Sequence, residues 1–385
     1  MSDEQIEVHG SYDPAFEPVR DAFVANFTER GDIGAGVAVV VQGAPKVSIW
    51  AGWADPDRTR PWERDTLTNV WSTTKAVTSL CAHILIDRGE LDPDAPVAKY
   101  WPEFAQAGKA EIPVRWIMSH KSGLTGLAQP TEVADYYDWD KITELLAAQA
   151  PLFPPGSTSG YQAITFGFGV GEVIRRITGQ TVGQFIASEV ASRVGADFYI
   201  GLPESELTRC SDLLGVRPSE DEQAALAQAY ANADPAALAA LLNPALTGDE
   251  ANAPAWRQAE IPAANGHGTA LGLATIFGAV ADGSDTFISA GTLAKARAGE
   301  GKHTDLVLGF PLEFGLGVAL SGPEGHYGPN PAAFGHDGFG GSMVGCDPEG
   351  GVAFAYVMNR MGMNLADDPR KMAVIEAVYR SLAAD

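Results

Sequence analysis

The chain has 385 residues, 45% of them hydrophobic, with 26 Lys plus Arg against 49 Asp plus Glu and a formal net charge of -23. It is long and apolar enough to bury one large core or two smaller ones, which excludes intrinsic disorder. It is too acidic to offer the basic face that nucleic acid or anionic lipid requires, so neither is expected as a partner.

In chain order, residues 12–30 read as a helix, with Phe16, Val19, Phe23 and Phe27 at helical spacing. Gly36–Gln42 is a buried strand, and Lys46–Gly52 is its antiparallel partner across Gly43-Ala-Pro45. After Ser72, the residues Ala76, Val77, Leu80, Cys81, Ile84 and Leu85 repeat at helical spacing up to the stop at Arg88-Gly89. The middle of the chain, about 75–284, is mostly helical patterns and loops. The Ala-rich stretch Gln223–Leu246 fits two helices either side of Asp234-Pro235. Strand signals return at Phe314–Leu320 and Gly351–Val357, flanking a Gly-rich run, and Pro369–Ala384 forms a last helix. Strands at both ends of the chain are expected to share one antiparallel sheet, with helices packed on it and a helical domain inserted between. Cys81, Cys210 and Cys346 have no zinc-type spacing. The polar, acidic start and the lack of an apolar run near the roughly 20 residues of a membrane span lead us to expect a cytoplasmic protein.

Three short segments could carry chemistry. Ser72-Thr-Thr-Lys75 sets a hydroxyl at a helix N-terminus and an amine one turn on, on the same face. There the helix dipole favours a developing anion, and a desolvated lysine acts as a base. The same residues equally fit a capping serine beside a solvated lysine. Tyr161 follows the turn Pro155–Gly160 and precedes a helical run from Ile164 to Ile177 that would hold it rigidly. Beside an ammonium its phenol is expected to have a lowered pKa and to shuttle protons, though a packing tyrosine reads the same way. In Gly335-His-Asp-Gly-Phe-Gly-Gly-Ser342, glycines in strand context suit close approach by a ligand or another backbone, or else a bulged turn. His83 and His120 read as structural, while His267 and His326 fall in Gly-rich loops that could border the cleft. Tyr136, Tyr137 and Trp139 fit either a pocket wall or helix packing.

These three segments, in this order and with Tyr161 well downstream of Ser72, resemble the serine beta-lactamase and penicillin-binding-protein superfamily, above all class C beta-lactamases and family VIII carboxylesterases. Gly89–Pro96, Trp116–Leu124 and Ala264–Ala270 also look like family segments, so the likeness runs from about Val37 to Met361. The resemblance implies an α+β, beta-lactamase-like fold: a sheet domain from 1–74 and 285–385, an all-helical domain from 75–284, and an active site between them. It makes Ser72 the nucleophile, Lys75 its proton partner and Tyr161 the general base and acid, with the N–H groups of Ser72 and Phe339 as oxyanion hole. It places Gln162, His336, Asp337 and Gly338 against the substrate, with no metal or organic cofactor. Gln162-Ala163 stands where the family usually has Ser-Asn, and His336-Asp337-Gly338 where it has Lys-Thr-Gly. A neutral histidine and an added aspartate charge would disfavour carboxylate-bearing substrates. The expected function is therefore hydrolysis of small neutral esters through an acyl-enzyme. The alternatives are a beta-lactamase, an amide or D-amino-peptide hydrolase or an acyltransferase of the same fold, or a non-catalytic ligand-binding member.

Overall fold

A computed structural model describes residues 6–322, 325–364 and 367–384. The Val-rich run Gly34–Val41 (β2) folds back on Ala44–Gly52 (β3) through Gln42-Gly43, both in the left-handed backbone region. Val8–Tyr12 (β1) flanks β3. From the other end of the chain come Ala319–Leu320 (β4), Phe334–Asp337 (β5), Met343–Asp347 (β6) and Val352–Met358 (β7). The seven strands are antiparallel in the order β1-β3-β2-β7-β6-β5-β4. The β2–β7 ladder, with Val37 opposite Tyr356 and Val39 opposite Phe354, joins the two chain ends at the centre of the sheet.

Helices cover both faces. Gly278 of Ala270–Ala281 (α5) lies against Val40, and the Cys346 thiol reaches the Phe277 carbonyl. On the other face Phe354 stacks edge-on against Tyr379 of Pro369–Leu382 (α6), and the Tyr356 hydroxyl donates to Asp32 beyond Glu17–Thr28 (α1). Because neither face meets water, β2 and β7 read as continuous apolar runs without alternation.

The inserted span holds Thr74–Asp87 (α2), Trp139–Ala148 (α3) and Thr165–Thr178 (α4), along with the exposed helix Glu220–Ala231 and the helix Pro235–Leu241. Two features complicate its expected all-helical character. α5 lies within it yet packs on the sheet, and His267–Gly268 pairs with Thr68–Asn69 and Phe198–Tyr199 in a small ribbon. The strand expected over Phe314–Leu320 shrinks to its last two residues. Gly317 takes a left-handed turn there, and a Cβ on it would come 2.1 Å from the Ser79 hydroxyl of α2. Close approach to α2 therefore displaces a full strand. Among the described residues no helix is long and apolar enough to cross a membrane.

Candidate active site

Ser72 lies in a single 3-10 turn, Trp71–Thr73, that runs directly into α2. Trp71 sits at φ +46, a strained setting for a bulky side chain. Packing holds it: its indole lies 5.3 Å from the Trp256 ring and 5.5 Å from that of Phe339. The turn is bolted to the sheet edge, with the Ser342 hydroxyl donating to the Val70 carbonyl at 2.8 Å and Thr73 Oγ1 meeting Ser342 Oγ at 3.2 Å. A Cβ on Gly338 would fall 2.1 Å from Ser342 Oγ and 2.3 Å from the Val70 carbonyl, so only glycine fits. Gly338 thus acts through close backbone approach. Among the described residues no backbone carbonyl accepts from the N–H groups of Ser72 or Phe339, which flank this junction.

Lys75 is fully buried one helical turn on. Its Nζ lies 2.9 Å from Ser72 Oγ, 2.8 Å from the Ala163 carbonyl and 3.1 Å from the Ala263 carbonyl, and 4.7 Å over the Tyr161 ring. Burial holds the amine well below the usual lysine range. The two carbonyls only accept, so they take both hydrogens of a neutral amine, and its lone pair is left for the Ser72 hydroxyl.

Tyr161 precedes α4 and is buried, with its phenol close enough to Ser72 to feel that hydroxyl. The expected lowering of its pKa does not occur. Burial pushes the phenol up, outweighing the effect of the Ser72 hydroxyl, and nearby Asp305 and Asp337 raise it further. A phenol that stays protonated is a proton donor.

His336 rises from β5 on the Ser72 side, its ring 6.2 Å from that of Tyr161. Its Nδ1 donates to the Asp337 carbonyl at 2.8 Å, which makes Nε2 a bare acceptor, buried and unpartnered among the described residues. Burial drives its pKa down to about 3, so the ring is neutral. Asp337 faces the opposite side of the sheet, as alternation along a strand requires. Its carboxylate takes Lys371 of α6 at 2.9 Å and His326 Nε2 at 2.5 Å. The negative charge expected to repel anions is therefore offset by a buried lysine, and His326 is its partner rather than a cleft residue. Gln162 is also buried, its side-chain oxygen accepting from Ser122 at 3.0 Å.

Of the aromatics between the first two motifs, Tyr136 and Trp139 pack on Phe168 in the helical layer. His267 is buried, with its Nδ1 donating to the Asn265 carbonyl. His83 is structural, bonded to the Leu316 carbonyl at 2.7 Å. His120 also reads as structural from the sequence, yet its ring lies 4.7 Å from that of Tyr161. Its sole local signal was a polar run, Ser119–Ser122, just after the apolar Trp116–Met118.

A family model described as Beta-lactamase matches residues 20–379. Esterase/beta-lactamase LipL of Mycobacterium tuberculosis is 36% identical over 366 residues, covering 92% of this chain and 83% of its own. A solved family VIII carboxylesterase superposes with a TM-score of 0.91 at 42% identity, covering 98% of this chain and all of that one. A penicillin-binding-protein homologue from Caulobacter crescentus superposes with a TM-score of 0.89 at 40% identity, over 97% of this chain and all of its own. With its fold, its sheet-edge junction and these likenesses together, the chain belongs to the beta-lactamase family of serine hydrolases.

Proposed function

We propose that the protein is a carboxylesterase that hydrolyses small neutral esters through an acyl-enzyme on Ser72. The observation that carries this reading is Lys75: a fully buried amine whose Nζ lies 2.8 and 3.1 Å from two carbonyls and 2.9 Å from Ser72 Oγ. As Oγ attacks the ester carbonyl, its proton passes to Lys75 and the carbonyl electrons move onto oxygen. The N–H groups of Ser72 and Phe339 stabilise that oxyanion; one such donor is worth about 3 kcal/mol. Collapse breaks the ester C–O bond, and the alcohol leaves with the proton of Tyr161. The Lys75 ammonium then restores the phenol. Water attacks the acyl carbon, gives its proton to Lys75, and the acid departs as Ser72 takes that proton back.

The preference for neutral substrates rests on the third motif. There the chain offers an uncharged acceptor, His336 Nε2, while Lys371 is held by Asp337 on the far side of the strand. Among the described residues, a carboxylate meets a neutral ring at that position. The likeness to a family VIII carboxylesterase and to LipL supports an ester substrate further. The test compares kcat/KM for p-nitrophenyl butyrate and nitrocefin, with mass spectrometry of the trapped adduct. We expect the ester to be preferred, the adduct to sit on Ser72, and Ser72→Ala to lose about 10⁴-fold or more. A preference for nitrocefin, or full esterase activity in Ser72→Ala, would overturn the reading.

A further inference from the structure

We infer that His120 is a positioning residue that sets the Tyr161 hydroxyl for proton transfer, by clamping the backbone on both sides of it and covering its ring. This rests on the reading of Tyr161 as the acid for the leaving alcohol. Tyr161 lies ahead of α4, so no helical hydrogen bonds fix its backbone from behind. The Tyr161 N–H itself donates to Asp305 at 3.1 Å, and His120 holds the residues on either side. The Gly160 N–H donates to the His120 carbonyl at 2.9 Å, and the Gln162 N–H donates to His120 Nδ1 at 3.1 Å. Between these two bonds the imidazole lies 4.7 Å from the phenol ring, backed by Phe314 at 4.5 Å and Phe166 at 5.2 Å. One residue therefore contacts the tyrosine's ring and both of its chain neighbours.

Reaching all three requires an unusual backbone. His120 sits at φ +61, which brings its own carbonyl and its side chain to the same segment. The loop beneath is built to bear this. The Lys121 N–H returns to the Trp116 carbonyl at 2.7 Å, the Gly156 N–H reaches the Lys121 carbonyl at 2.8 Å, and the Leu152 N–H reaches the Gly123 carbonyl at 2.8 Å. With Ser122 holding Gln162, the loop from Ser119 to Gly123 is a pedestal for residues 152–162. The clamp also dictates the ring's tautomer. Nδ1 accepts from Gln162, so the proton sits on Nε2, and only a neutral imidazole can make the contact. Burial keeps it neutral.

The test uses two esters of one acid. p-Nitrophenolate leaves as a stable anion, whereas ethoxide needs a proton, so a misplaced Tyr161 penalises ethyl butyrate selectively. His120→Gln loses the acceptor at the δ position, whereas His120→Asn keeps one there and tolerates a left-handed backbone. In His120→Gln we expect kcat/KM for ethyl butyrate to fall about 100-fold and that for p-nitrophenyl butyrate far less. His120→Asn should restore most of the ratio. An equal loss on both esters, an unchanged ratio in His120→Gln, or no difference between the two variants would overturn the proposal. A crystal structure of His120→Gln decides it independently of substrate: a displaced Tyr161 ring supports the clamp, and an unmoved one overturns it. Failure of the unmodified protein to cleave either ester would instead sink the esterase reading and leave that structural comparison to stand.

Discussion

A lysine amine that touches two carbonyls and one hydroxyl is a different reagent from a solvated ammonium. In water Lys75 would be charged near neutrality. In its buried pocket the charged form is disfavoured, and a smaller proton affinity makes the amine a usable base. The sign follows directly: acidification protonates Lys75 and removes the lone pair facing Ser72. We therefore expect kcat/KM for a neutral ester to fall on the acid side and hold on the alkaline side. Lys75→Arg, whose guanidinium does not deprotonate, should cost about 10³-fold or more at every pH, measured on p-nitrophenyl butyrate. Turnover in Lys75→Arg close to that of the unmodified protein would rule out the amine as base. The Ser72–Lys75 adjacency was legible in the chain because helical spacing alone places them together. The state of Tyr161 was not. A phenol's pKa depends on how deeply it is buried, and burial is set by residues such as Phe314 and His336, far away in the chain.

At the scale of elements, the site exists because the turn leading into α2 abuts the end of β5. Gly338 makes that approach possible, and Asp337, next to it, ties the strand to α6 through Lys371. The two neighbours therefore do different work. Gly338→Ala should force the β5 end away from Val70 and reduce kcat strongly, with binding of neutral ester little changed. Asp337→Asn removes the carboxylate facing a fully buried lysine, and breaking such a pair costs about 3–5 kcal/mol. Urea unfolding should show that loss, while the ratio of kcat/KM for neutral and anionic esters stays as it was. A changed ratio at unchanged stability would return Asp337 to the substrate's side. From the sequence alone His336 and Asp337 formed one unit, because the partner of Asp337 lies on a helix at the end of the chain. Strand alternation separates them. The same dependence on distant neighbours explains Phe314–Leu320, whose apolar pattern suits a strand but whose Gly317 serves close approach to α2.

For the whole molecule the net charge of -23 dominates the composition, and its repulsion would suggest that acid stabilises the fold. The buried histidines predict the reverse over a defined window. Burial lowers His83 to about 4 and His267 and His336 to about 3, and holds His120 well below its usual value. An unfolded chain protonates all four below about pH 6.5, while the folded one does not. The unfolded state then binds more protons, so stability is lost as pH falls from about 6.5 toward 4, by up to about 1.4 kcal/mol per pH unit for each histidine. Most carboxylates titrate lower still, so between pH 6.5 and 5 the histidines act with little opposition from relief of charge repulsion. His83 offers a clean control because its ring donates to the Leu316 carbonyl at 2.7 Å, away from Ser72. Gln places an amide donor where that ring nitrogen lies and does not titrate. Urea unfolding at pH 7.5, 6.5 and 5.5 should show falling stability in the unmodified protein. His83→Gln should show a slope smaller by one histidine, and equal slopes in the two proteins would assign the acid sensitivity elsewhere.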